Sequence, residues 1–296
     1  MNTRTLVSFD WAAKKLLREK VNFDILEGFL SETLHEDVIV KSILESESNK
    51  NDTDDKHNKV DVLCENAKSE LIIIEIQFYD EIDYFHRLNY AVSKVVTEYM
   101  YEGYDYSKVK KVYSINIIYF DLGRGDDYLY HGRMEFRGMY KNDILSLSPG
   151  QQTEFNKRYP SEIFPEIILF KISKFDDIIR APLDQWIYFF KHTELPENYD
   201  AKGLNQVKNK LNLSKMDTTT QSDYIDYLKN VRISQNAIES VRKEGKIEGK
   251  IEGKIEGKIE VILALHEDGI PIAQIAKYTK LTQVEVEKIL KEYGKL

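Results

Sequence analysis

One segment restricts the fold of this chain more than any other: Glu70–Tyr79, ELIIIEIQFY, where apolar residues run almost without a break. A strand with one wet face alternates apolar and polar residues, whereas a strand covered on both faces reads as a continuous apolar run. This segment is therefore expected at the centre of a sheet with layers on either side. KVDVLCEN, residues 59–66, precedes it across the polar turn Asn66–Ser69, so the two are expected to pair as a hairpin.

The surrounding pattern fills in the layers. Residues 9–34 carry Phe23, Ile25, Leu26, Phe29, Leu30 and Leu34 at helical spacing, predicting one or two helices. VIVKSILES, 38–46, reads as a strand, and the polar SNKNDTDDKHNK, 48–59, as a surface loop. Residues 81–102 predict a long helix ended by Gly103, followed by a buried strand at 112–122 and further strands at 127–139 and 166–173. Helix, strands, crossover helix and strand in this order predict an α/β fold with a mixed sheet flanked by helices.

Asp61 and Glu75 are the informative residues within the hairpin. Each is an acid in an otherwise apolar strand, where a carboxylate without a partner is costly to bury. Acids in strands often lie on a solvated face or pair with a lysine; the alternative is a metal. Glu75 and Gln77 are two apart and leave the same face, and hairpin pairing brings Asp61 toward them. Two carboxylates, a backbone carbonyl and waters suit Mg²⁺, a hard cation that keeps part of its hydration. Arg87 lies on the helix that follows, either as a solvated or ion-paired residue or as a phosphate clamp. Tyr90, one turn on, is either a packing residue or a stacking platform for bases.

At these residues the chain resembles the PD-(D/E)XK nuclease family transposases, also described as recombination-promoting nucleases. The resemblance rests on the order D–hairpin–E-x-Q, preceded by ILEGFLSETL and followed by FHRLNYAVSKVVTEYMYEGYDYSKVKKVYSINIIYF, and covers roughly residues 9–140. It implies a restriction-endonuclease-like fold and hydrolysis of DNA phosphodiesters with Mg²⁺, for which Mn²⁺ substitutes. Asp61 and Glu75 would ligate the metal, Gln77 would occupy the motif's lysine position, and Glu27 would be the acid contributed by the first helical region. Arg87 and Tyr90 would contact nucleic acid. Glutamine keeps hydrogen-bonding capacity but carries no charge, so a catalytically weak protein that acts through its C-terminal helices is the alternative.

Global charge does not announce a nucleic-acid binder: 42 basic against 50 acidic residues leave −8. A basic face is compatible with an acidic remainder. Cys64, the single cysteine, lies in an apolar run and is expected to be a buried structural thiol. With no internal disulfide to form, no long apolar run and no signal-like start, a cytoplasmic protein is expected.

The expected organisation is a nuclease-like domain at 1–195, a helical connector at 196–240, a repeat segment at 241–260 and a small helix-turn-helix-like unit at 261–296. GKIE occurs four times from Gly245 to Glu260. It reads either as a helical stalk that dimerises through its isoleucines, with Lys facing Glu, or as a flexible linker. In the last unit, Ile272–Tyr278 and Thr282–Glu292 are expected helices, with Thr282–Glu285 as a capping box. Either DNA or protein is its expected partner.

Overall fold

The computed structural model describes residues 5–44, 61–100 and 105–296. The expected loop at 48–59, the strand ends at 45–46 and 59–60, and Gly103 lie outside them. Strands β1 (Val40–Ile43), β2 (Val62–Asn66), β3 (Leu71–Gln77), β4 (Val112–Ile118), β5 (Leu129–Arg133) and β6 (Glu166–Lys171) form one sheet in the order β1-β2-β3-β4-β6-β5. β3, β4 and β6 run parallel, while β1, β2 and β5 pair antiparallel with their neighbours. The expected α/β fold with a mixed sheet and flanking helices is the one that forms.

The β2–β3 turn is built by Asn66, whose Oδ1 accepts from the backbone N–H groups of Lys68 (3.0 Å) and Glu70 (2.9 Å). That turn sets the register Leu63 opposite Ile73 and Val62 opposite Ile74. Leu71 and Ile73 pack on helix α3 (Tyr84–Glu98) through Tyr84, Leu88, Val92 and Val95, spaced for one helical face. Ile72, Ile74 and Ile76 point to the opposite face, and all are buried. α3 begins later than the expected residue 81 because Glu81–Asp83 turn the chain out of β3 into the helix.

Residues 9–34 form two helices, α1 (Phe9–Lys15) and α2 (Phe23–Leu34). The short helix α4 (Pro149–Phe155) follows β5, and α1 and α2 share an aromatic cluster with α5 (Pro182–His192): ring centroids lie 4.8 Å apart for Phe9–Phe190, 5.0 Å for Phe29–Phe190 and 5.5 Å for Phe29–Trp186. α2 also meets the turn into α6 (Leu204–Lys210) at backbone distance. A Cβ on Gly28 would fall 2.5 Å from the Lys202 carbonyl oxygen and closer still to the Gly203 Cα. Gly203 holds φ +89°, which a side chain would strain.

The first compact unit extends to Tyr224, not to residue 195. Ala201, Leu204, Val207 and Leu211 are buried, the Ser8 N–H donates to the Tyr224 hydroxyl (3.0 Å), and the Tyr224 ring meets Trp11 edge-on at 5.2 Å. Their sparse spacing within a polar stretch disguised them as a connector. The second unit, Ile225–Leu296, contains most of the long helix α7 (Thr218–Glu267), then α8 (Ile272–Thr279) and α9 (Gln283–Glu292). Its core is Ile262, Ile275, Ala276, Val286 and Leu290. Thr282 and Glu285 cap α9 reciprocally. The GKIE repeats are helical, with Ile247, Ile251 and Ile255 53–60% exposed. Among the described residues no helix is long and apolar enough to cross a membrane.

Two glycines in helices have opposite surroundings, and their substitution is expected to have opposite signs. Gly28→Ala overpacks a backbone contact and lowers stability by about 1–3 kcal/mol. A Cβ on Gly249 would meet nothing within 4 Å, so Gly249→Ala raises helix stability by roughly 0.5–1 kcal/mol. Urea denaturation of the full chain reads the first, and thermal loss of helical circular dichroism the second.

Candidate functional site

Asp61 and Glu75 meet at the edge of the sheet where β3 ends. Asp61 sits one residue before β2 rather than inside it. Continuing the β2–β3 register by that residue sets it beside Glu75. Asp61 Oδ2 accepts from the Ile76 backbone N–H at 2.8 Å, so the carboxylate is fastened to β3 itself. In open α/β sheets, ligands gather outside the carboxyl ends of the parallel strands, which is where this pair lies.

Glu75 shares the α3-facing side of β3 with Leu71 and Ile73 and is 9% exposed. One oxygen, Oε1, accepts from Arg87 Nη2 at 2.5 Å. The other, Oε2, is buried and has no hydrogen-bond partner among the described residues. Burial above all, then the nearby Asp61 charge, push the Glu75 carboxyl up to about 7, against the opposing pull of Arg87. Beneath it, Tyr84 donates its hydroxyl to Asn116 Oδ1 (3.0 Å). Asn116 is the residue of β4 directly paired with Glu75. Burial, followed by the Glu75 charge, raises the Tyr84 hydroxyl above the ordinary tyrosine range, so it stays a neutral donor.

Gln77, half-buried at the end of β3, is engaged by Glu81 and not by Asp61 or Glu75. Its Nε2 donates to Glu81 Oε1 at 2.7 Å. The same oxygen accepts from Arg87 Nη1 at 2.7 Å. Glu81 thus gathers Gln77 and Arg87, while Arg87 spans Glu81 and Glu75. Arg87 is ion-paired within the site. Tyr90 is 46% exposed on the outer side of α3 and is no core packing residue.

Glu27 stands apart. Its Oε1 accepts from the Val40 backbone N–H at 2.9 Å, tying α2 to the start of β1. Among the described residues no group of three or more His, Cys, Asp and Glu is arranged to hold a metal, so Glu27 does not complete a three-carboxylate set with Asp61 and Glu75. Cys64 is buried, and burial raises its thiol to about 12, which suits a structural role.

Sequence reasoning missed three members of this edge. Lys14, near the end of α1, places Nζ 3.2 Å from Asp61 Oδ1. Arg18 donates from Nη2 to the Asp61 backbone carbonyl at 2.9 Å. Glu81 organises Gln77 and Arg87. Lys14 and Arg18 lie in AAKKLLREK, whose cations look like the solvated side of any helix. Glu81 lies in YDEID among other acids. Nothing in spacing alone marks them.

Residues 7–241 match a family model described as PD-(D/E)XK nuclease family transposase. No curated protein and no solved structure matches the chain.

The raised Glu75 carboxyl has a consequence for the metal-free protein. An acid that binds its proton more tightly when folded favours the folded state below its folded pKa, so stability declines as pH rises from about 4.5 to about 7. The decline attributable to Glu75 is no more than about 3 kcal/mol. In a chelator-containing buffer, urea midpoints of Glu75→Gln should lose this part of the slope; identical slopes for both proteins would refute the assignment.

Proposed function

The chain belongs to the PD-(D/E)XK nuclease family transposases, and from that premise we propose that it is an endonuclease that hydrolyses DNA phosphodiester bonds with Mg²⁺, or Mn²⁺ in its place, held at Asp61 and Glu75. The observation that carries this reading is the buried, unpartnered Oε2 of Glu75 beside Asp61. An orphaned carboxylate oxygen is unfavourable in a sheet unless something cationic takes it up. Hard oxygen donors are what Mg²⁺ selects, so this donor pair fits the ion. Divalent metals are also the general cofactors of PD-(D/E)XK nucleases.

A bound cation would supply Lewis-acid polarisation of a phosphoryl oxygen and a lowered pKa for an attacking water. The chain's own residues set the stage for that chemistry. The Ile76 N–H fixes the orientation of Asp61, and Arg87 holds Glu75 Oε1 so that Oε2 is the oxygen left to ligate. Glu81 holds Arg87 in turn and keeps Gln77 at the rim of the site. Glu27 stiffens the α2–β1 connection and is a positioning residue here. Tyr90, exposed on α3, offers a ring to DNA bases or sugars. The family description supports a role in DNA recombination or mobile elements.

We also propose that the chain self-associates through the GKIE segment of α7. Lys precedes and Glu follows each Ile by about 100° around a helix. Two copies related by a parallel two-fold axis therefore bring the Lys flank of one against the Glu flank of the other, whereas antiparallel copies oppose like charges. The exposed Ile247, Ile251 and Ile255 would be covered between them. Sedimentation of the full chain should give a dimer that Ile251→Asp with Ile255→Asp converts to monomer; a wild-type monomer at high concentration would exclude the stalk.

Nicking of supercoiled plasmid tests the activity. With Mg²⁺ or Mn²⁺ the wild type should nick, and Asp61→Ala and Glu75→Ala should each lower the rate at least roughly a hundredfold. Equal rates in all three would sink the site. Inactivity of a folded wild type would favour the non-catalytic alternative, in which the fold serves binding through its C-terminal helices.

A further inference from the structure

We propose that Lys14 supplies the positive charge that position 77 lacks, carried to the cleavage site by α1 instead of by β3. The inference rests on the cleavage reading above. The general PD-(D/E)XK motif writes a lysine two residues after the acid of the second strand, where this chain has Gln77. Gln77 is neutral, and its amide is directed to Glu81. Charge developing on a phosphoryl group in a hydrolytic transition state is stabilised best by a cationic donor already in place. Some other cation is needed at this edge.

The cations available there differ in how they are held. Arg87 is shared between Glu75 and Glu81, and Arg18 donates to the Asp61 backbone carbonyl. The Lys14 ammonium is paired with Asp61 Oδ1 at 3.2 Å. Its helix is firmly seated, with Phe9, Trp11, Ala12 and Ala13 all buried, while the Lys14 side chain itself remains 46% exposed. A lysine head on a flexible stem is a compact, movable point charge. With a divalent cation held at Asp61, the Lys14 ammonium would be repelled from that carboxylate, and a substrate phosphate would offer it a new anionic partner. Asp61 keeps its orientation throughout, because Oδ2 is held by the Ile76 N–H.

This arrangement predicts opposite effects on binding and on cleavage. In the full chain, Lys14→Gln should lower the single-turnover rate of plasmid nicking roughly 100-fold. Calorimetry without DNA should show Mn²⁺ binding to the same variant about threefold tighter or more, because a competing positive charge is gone. Lys14→Arg should keep wild-type Mn²⁺ affinity. Adding Gln77→Lys to Lys14→Gln should restore nicking to within about tenfold of wild type. A lysine that merely braced α1 would not produce tighter metal binding with slower cleavage, nor rescue from position 77. Lys14→Met, which retains most of the stem, stands in if Lys14→Gln fails to fold. A neutral variant that nicks within threefold of wild type, or binds Mn²⁺ more weakly, overturns the role of Lys14 and leaves the cleavage reading intact. A double variant as slow as Lys14→Gln overturns the link to position 77. A folded wild type that neither binds Mn²⁺ nor nicks overturns both.

Discussion

A carboxylate on the covered face of a central strand is the constraint around which this molecule is arranged. Glu75 cannot sit among Ile73, Tyr84 and Leu88 without compensation, and the compensation comes from the helix that follows its own strand. Arg87 lies one turn into α3 on the side facing the sheet, where its guanidinium reaches both Glu75 and Glu81. The turn out of β3, the late start of α3 and the orientation of Gln77 all follow from that three-way pairing. Asp61 is fixed from the other side by the backbone of β3. The strand pair and the crossover helix are thereby locked by polar contacts at one edge, while their apolar faces fill the interior.

The opposite edge of the same sheet shows what complete compensation looks like. Lys111, just before β4, is 6% exposed, yet its ammonium donates to the carbonyls of Ser161 (2.9 Å) and Phe164 (2.5 Å) and to Glu166 Oε1 (2.8 Å). All three of its protons are placed. Glu166 gives its second oxygen to His131 at 2.6 Å. A buried charge with every valence satisfied rigidifies a fold and has nothing left for a ligand. Glu75, by contrast, keeps one buried oxygen without a partner among the described residues. Both edges bury charge, but only one is left incomplete, and it is the edge at the carboxyl ends of the strands.

How much of this was legible in the sequence depended on whether a residue's own surroundings betrayed it. Asp61 and Glu75 stood out because an acid in an apolar run contradicts its neighbours, and that contradiction is local. The sheet was legible for the same reason: continuous apolar runs name their strands. Arg18 and Asp61 are 43 residues apart, and no periodicity links them; α1 reaches the hairpin only because Phe9 and Trp11 seat it. The unit boundary was hidden for a related reason. Leu204, Val207, Leu211 and Tyr224 are single anchors in a polar stretch, and composition averages them away. Glu27 illustrates the reverse. Its place on α2 could be read from the helical pattern, but its carboxylate is engaged with the Val40 N–H, a contact that only folding creates.

Moving a positive charge from strand to helix changes what the site does before a cation arrives. A lysine at position 77 would be bound to the sheet and could retreat only along its own stem. Lys14 instead caps Asp61 from a neighbouring helix, while Arg87 caps Glu75, so each acid of the metal-free site has a basic partner. That pairing offsets part of the upward push on the Glu75 carboxyl, which comes first from burial and then from the adjacent Asp61 charge. A divalent cation held by both acids would take the place of Lys14 at Asp61, which would weaken its binding and leave the ammonium free for phosphate charge. Under the proposed role of Lys14, affinity for metal and power over phosphate would be coupled through one side chain, and the neutral Gln77 would make that coupling available.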